Sequence, residues 1–161
     1  MDLREQQRGL LQLLKKRSIS VHEDDYLTRI SDSHELQLAR EIAVWWRALG
    51  VERNCPQTSL LLKRLGRFEE VLEKFYCDNS TSPYMEEMAR QFLTSLSTDT
   101  DPLVAAMASF ELAIRRMAAG DDEEFVINWD RDPDQVLKAL RFNGPLPPPD
   151  GIHQVKMSRQ P

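Results

Sequence analysis

EIAVWWRALGVERNCPQTSLLLKRLGRF, residues 41–68, decides the fold class. Apolar residues recur at helical spacing through Ile42, Trp45, Trp46 and Leu49, break at Asn54-Cys55-Pro56, and resume at Leu60, Leu61 and Leu65 before Gly66. Proline disrupts a helix interior because it lacks an amide hydrogen, but it fits a first turn, where that amide has no partner anyway. The stretch therefore reads as two helices meeting at a bend, with Gly66 as the C-cap of the second. It carries two adjacent tryptophans and no catalytic cluster, which points to a helical binding module rather than an enzyme.

Outward from this stretch the same spacing repeats. Leu38 begins the stripe that runs through Ile42, Trp45, Trp46 and Leu49, and Gly50 is read as its stop. Towards the N-terminus, Leu3, Leu10, Leu11 and Leu14 mark an amphipathic helix ending near Lys15-Lys16-Arg17, where cations suit the negative end of the helix dipole. Ser20-Val-His-Glu23 has the Ser-x-x-Glu spacing of a capping box and opens a short segment over 23–30. Towards the C-terminus come a helix of Phe68, Val71, Leu72 and Phe75, then one of Met85, Met88, Phe92 and Leu96. A core helix follows, with a seam of Leu103, Met107, Phe110, Ile114 and Met117, closed by Gly120. Ser82-Pro83, Asp101-Pro102 and Asp132-Pro133 each predict a helix start, and Cys55-Pro56 is a fourth case.

The character changes after Gly120. EFVINW at 124–129 is rich in β-branched and aromatic residues and reads as a strand. A short helix with Val136, Leu137 and Leu140 ends at Asn143-Gly144, a proline-rich linker occupies 145–149, and 152–158 alternates as a second strand. The expected fold is mainly α: a bundle of six or seven helices over 1–119, with a small strand-helix-strand extension over 120–161. Two strands alone are marginal in water, so they must pack on the helices or add to a partner's sheet.

A chain of 161 residues suits one ordinary domain and buries roughly 70% of its unfolded surface. Apolar residues at 41% and charged residues at 29% describe a globular protein. No apolar run approaches the roughly 20 residues of a membrane span, and the N-terminus lacks the features of a secretory signal, so a cytoplasmic location is expected. The net charge of −5 argues against duplex DNA as the main ligand, since such proteins need a basic face to release counterions. Cys55 and Cys77 are too few for a disulfide framework and read as packed thiols.

Nothing here reads as chemistry. His22, His34 and His153 sit in different segments without ligand spacing, so no metal and no cofactor is expected. Paired carboxylates such as Glu69/Glu70, Glu86/Glu87 and Asp121/Asp122 read as solvated helix faces and termini, and no phosphate loop or nucleophile elbow appears. Trp45 and Trp46 point about 100° apart on a helix, so one can fill a core while the other meets a partner. Glu111, inside an apolar helix, is placed to pair with Arg115 at i+4. Trp129 and Asp130 are not needed for the turn that Asp132-Pro133 explains.

The order of these features resembles the HvfC/BufC family: Ala39-Arg40-Glu41 before Trp45-Trp46-Arg47, then Cys55-Pro56 and Leu65-Gly66, then Ser82-Pro83-Tyr84, then Asp101-Pro102 with Phe110-Glu111. The resemblance covers about residues 1–118. It implies a non-catalytic, cytoplasmic partner of a multinuclear non-haem iron-dependent oxidase, forming a heterodimer and holding the leader of a ribosomally made precursor peptide. The iron then belongs to the oxidase. The chain departs from the pattern in having Cys55 where the family's bend has phenylalanine, and Phe110 where it has tyrosine. Trp46, Arg47, Trp129 and Asp130 are the candidate contact residues, the strand region 124–158 offers an edge for β-augmentation, and an exposed apolar patch is expected on the bundle. The alternative is a DNA-binding or transcription-associated module, from the family's older label, using Lys15, Lys16, Arg17, Lys63, Arg64 and Arg67.

Overall fold

The computed structural model describes residues 2–15 and 25–158. Among these the fold is mainly α. Its helices are α1 (Leu3–Leu14), α2 (Asp25–Ser31), α3 (His34–Asn54), α4 (Pro56–Arg64), α5 (Phe68–Asp78), α6 (Met85–Leu96) and α7 (Pro102–Ala118). The strand-helix-strand segment follows as β1 (Phe125–Trp129), α8 (Pro133–Arg141) and β2 (His153–Met157). The Ser20-Val-His-Glu23 capping box, with Lys16, Arg17 and His22, lies outside the described residues.

Helix ends follow local chemistry closely. Asp101 and Asp132 accept the amides of Leu103 and Asp134, with proline next in line. Gly66 adopts φ +66°, and its amide and that of Arg67 donate to the Lys63 and Leu62 carbonyls. Gly120 (φ +99°) closes α7 through the same pair of bonds, and Asn143 (φ 56°) precedes the Gly144 amide that binds the Ala139 carbonyl. These are left-handed stops that satisfy carbonyls the helix cannot.

Three readings need correction. Gly50 does not stop α3, which continues to Asn54. A Cβ there would lie 2.8 Å from Met85 Sδ and 2.9 Å from Met88 Cε, so this glycine serves close packing rather than a cap. Helix α6 starts at Met85, not at Ser82-Pro83; the Ser82 hydroxyl instead accepts the Tyr84 amide at 3.2 Å, in the turn before the helix. The buried face of α7 is also rotated from the expected seam: Leu103, Val104, Met107, Ala108 and Glu111 are buried, while Ile114 is exposed.

The chain divides into two compact units, residues 1–49 with 69–81 and residues 50–68 with 82–161. In the first, Leu13, Leu27 and Leu36 form a core flanked by Leu10, Leu14 and Ile30. Gly9 lets α1 approach Leu27, and Arg40 Nε donates to the Leu13 carbonyl at 2.9 Å. In the second unit, Phe92, Leu61, Leu62, Leu103 and Met107 are fully buried, each worth about 1.5–3 kcal/mol in removed apolar surface. The segment after Gly120 belongs to this unit.

Its two strands pair antiparallel, with Phe125 opposite Met157, Ile127 opposite Val155 and Trp129 opposite His153. Strand side chains alternate between faces, so these six share one face. Ile127 and Trp129 are buried, and β1 packs on α7. Val126, Asn128, Gln154 and Lys156 form the exposed face.

Candidate functional site

The bend at Cys55-Pro56 is held by two side chains of α7. Glu111, buried at 6% exposure, accepts the Gln57 amide at 3.0 Å and the Thr58 amide at 2.9 Å. Arg115 donates from Nε and Nη2 to the Asn54 carbonyl at 2.9 and 2.6 Å, and from Nη2 to Asn54 Oδ1 at 3.0 Å. The anion thus sits at the positive start of α4 and the cation at the negative end of α3. In place of the expected mutual ion pair, Glu111 and Arg115 each cap one helix of the bend. Cys55 is fully buried beneath them, its Sγ 3.8 Å from the Ala89 carbonyl, and burial, then the Glu111 charge, pushes its thiol up to about 12. It is an inert packed thiol.

The strand region offers a surface. Val126, Ile127 and Asn128 of β1 face Pro102, Ala105, Ala106 and Ser109 of α7 across a groove of about 310 Å³. A second hollow of about 190 Å³ shares Ser97, Ser109, Val126 and Ile127 with it and runs on to Ala113, Arg116 and Phe125. Consecutive strand residues line this trough, so it borders the edge of β1 rather than either face. Within the two-stranded sheet, β1 pairs with β2 alone, so its other edge has no strand partner among the described residues. Small α7 side chains leave the space open.

A second surface lies in the first unit. Leu38, Ile42, Trp45 and Trp46 of α3 are each about half exposed, and the two indoles meet edge to face with centroids 5.3 Å apart. Neither tryptophan is a core residue. Beside them is a groove of about 550 Å³, lined by Leu14, Val44, Trp45, Tyr76 and Cys77, with Gln37, Arg40, Glu41 and Glu73.

The four candidate contact residues do not come together. Trp46 is exposed. Arg47 turns onto the buried Tyr76 ring, 4.6 Å from its centroid, and its buried Nε has no hydrogen-bond partner among the described residues. Trp129 is 1% exposed and packs edge to face on Phe110 at 5.9 Å, the place of a core residue, so it cannot touch a partner directly. Asp130 holds Arg131 through two bonds of 2.7 Å, while its carbonyl accepts the Asp150 and Gly151 amides. Arg131 in turn donates to the Pro147 carbonyl at 2.8 Å, tying down the proline-rich linker. The Arg131 hydrogen bonds and charge hold the Asp130 carboxyl below the usual carboxylate range.

Lys63, Arg64 and Arg67, the cations of the DNA-binding alternative that lie in the second unit, are engaged within the fold. Lys63 pairs with Glu52 at 2.7 Å, Arg67 with Asp99 at 3.2 Å and Asp101 at 3.5 Å, and Arg64 donates to Asn143 and the Gly144 carbonyl. His153 pairs with Asp150 at 2.8 Å. Among the described residues no group of three or more His, Cys, Asp or Glu side chains could hold a metal, and no helix is long and apolar enough to cross a membrane. No family model, curated protein or solved structure matches the chain.

Proposed function

We propose that this chain is a non-catalytic accessory subunit. It binds the extended leader of a precursor peptide and docks onto an iron-dependent peptide-modifying oxidase, as its resemblance to the HvfC/BufC family implies. The observation that carries this reading is the open trough along β1, whose other edge has no strand partner among the described residues. An extended peptide entering it adds a third strand, exchanging main-chain hydrogen bonds with β1 while its alternate side chains meet the small residues of α7. Trp129 below the strand and the Asp130–Arg131 clamp at its end keep that edge fixed, so little ordering cost falls on binding. Trp129 and Asp130 thus act through the strand rather than by contact.

The exposed Leu38, Ile42, Trp45 and Trp46 stripe is the kind of apolar patch that a docked subunit needs. The iron and the oxidative chemistry reside in the partner, and the chain scaffolds a cytoplasmic heterodimer. A nucleic-acid role has less to draw on. Lys63, Arg64 and Arg67 are spent on internal partners, and Lys16 and Arg17 lie outside the described residues.

The test is purification of the tagged chain from its native lysate, with iron assayed in the eluate and partners identified by mass. Stoichiometric co-elution of an iron-bearing oxidase supports the reading. A chain that elutes alone and iron-free, yet shifts DNA at low salt, overturns it.

A further inference from the structure

Main-chain hydrogen bonds along β1 would admit any extended segment, because nearly every residue carries the same amide and carbonyl. What can discriminate between segments lies in the walls of the trough. On the α7 side these include Ala105, Ala106, Ser109 and Ala113, which leave adjoining hollows of about 310 and 190 Å³. Pro102 to Arg116 spans about 21 Å of helix, the length of about six extended residues. Small side chains on the wall leave room for large ones on a guest, and a strand turns every second side chain to the same face.

The mouth at Pro102 and Asn128 is also acidic. Asp99 and Asp101 precede Pro102 and share Arg67, at 3.2 and 3.5 Å, while Asp130 follows β1 and binds Arg131 at 2.7 Å. The Arg131 guanidinium also lies within reach of the Asp101 and Asp150 charges. Asp132 lies within reach of His153, which pairs with Asp150 at 2.8 Å. Among the charges so linked, five carboxylates face two arginines and one histidine, a surplus of anions even with the histidine protonated. At the other mouth Arg116 and Lys156 stand among Asp121, Glu123 and Glu124, and the charge is mixed.

We infer that the trough selects an extended segment with large apolar side chains at alternate positions, and with lysine or arginine where it passes out beyond Pro102 and Asn128. The inference rests on the leader-peptide reading for the segment's origin and names the sequence that the site accepts. Shape supplies the apolar preference, and complementary charge supplies the basic one.

The experiment titrates the full chain, by anisotropy, with dye-labelled synthetic peptides of about ten residues. The first alternates leucine and threonine through its centre and carries lysines at both ends. In the second alanine replaces the leucines, and in the third glutamate replaces the lysines. The first binds, and the other two bind about tenfold or more weakly. Ser109→Phe and Ala105→Leu fill the hollows from half-buried positions, and each brings the leucine peptide to the level of the alanine one at an unchanged thermal melt. Asp150→Lys, at an exposed position, narrows the gap between the lysine and glutamate peptides.

Equal binding of the leucine and alanine peptides, or of the lysine and glutamate peptides, overturns the proposal. So do binding of none of them and variant chains that bind like the parent. A concentration-dependent dimer of the free chain that Ser109→Phe dissolves also overturns it, by assigning the trough to a second copy. N-methylation at the leucine or at the threonine amides separates this outcome from that of strand addition. One of the two methylated peptides fails to bind where the segment pairs with β1. Binding that survives in both sinks strand addition while the side-chain preference stands.

Discussion

Glu111 caps a helix that it does not belong to: its carboxylate on α7 accepts the Thr58 amide in the first turn of α4 at 2.9 Å. Cys55, the N-cap of α4, makes no side-chain cap bond of its own, so the first turn depends on α7. Each hydrogen bond from a buried amide to a carboxylate contributes about 1.5–3 kcal/mol. Glu111→Ala removes two, so a loss of about 3 kcal/mol or more is expected. Glu111→Gln keeps one acceptor oxygen and loses about half as much. Urea unfolding at unchanged m checks this; a midpoint for Glu111→Ala close to the parent's would contradict it.

The three tryptophans divide by environment. Trp129 is enclosed against Phe110, whereas Trp45 and Trp46 are half exposed. In a chain carrying Trp45→Phe and Trp46→Phe, the remaining emission is expected to be blue and to resist acrylamide. Trp129→Ala opens a cavity under the sheet and costs about 3–5 kcal/mol. Emission from Trp129 that quenches as readily as the other two would place it at the surface.

Asp130 links acidity to stability. Its carboxyl titrates below the usual range because Arg131 hydrogen-bonds and attracts the charged form. A folded-state pKa below the unfolded value of about 3.9 means that the stabilisation is present above that value and is lost as the pH falls through the lower folded one. The melting temperature of Asp130→Asn should lie below the parent's at pH 7, with the gap closing below about pH 4. A gap that persists at low pH would show that the pair acts through packing alone.

The two cysteines differ in reach. Cys55 is buried with its thiol at about 12, while Cys77 is half-buried at the groove. A folded pKa above the unfolded value of about 8.5 gives stability that is complete below that value and lost as the pH rises towards 12. Native alkylation at pH 8 should therefore label Cys77 first, and Cys55→Ala should flatten the alkaline decline in stability. Equal labelling rates would contradict the enclosed bend.

Much of this architecture was legible because it is set by local chemistry. Asp101-Pro102, Asp132-Pro133, Gly66 and Gly120 fix helix ends through bonds within a few residues, and EFVINW at 124–129 carries its strand character in its own side chains. What the chain did not reveal depends on residues distant in sequence. Periodicity showed that α3 has an apolar stripe, but not that its first half would be left uncovered. Gly50 looked like a stop because the methionines it admits lie 35 and 38 residues away. The Glu111–Arg115 spacing matched an ion pair equally well, and only the bend beside it draws the two apart. The trough at β1 has a weak signature in Ala105, Ala106, Ser109 and Ala113, small residues that also suit ordinary close packing.

Strand addition at β1 is the centre of the functional account, and amide hydrogen exchange reads it most directly. The chain would be exchanged alone and with the precursor peptide of its co-purified oxidase, following residues 125–129. Slowed exchange at alternate amides of β1, with the groove of the first unit unchanged, is the predicted result. A peptide that binds while β1 exchanges as it does in the free chain would contradict the account.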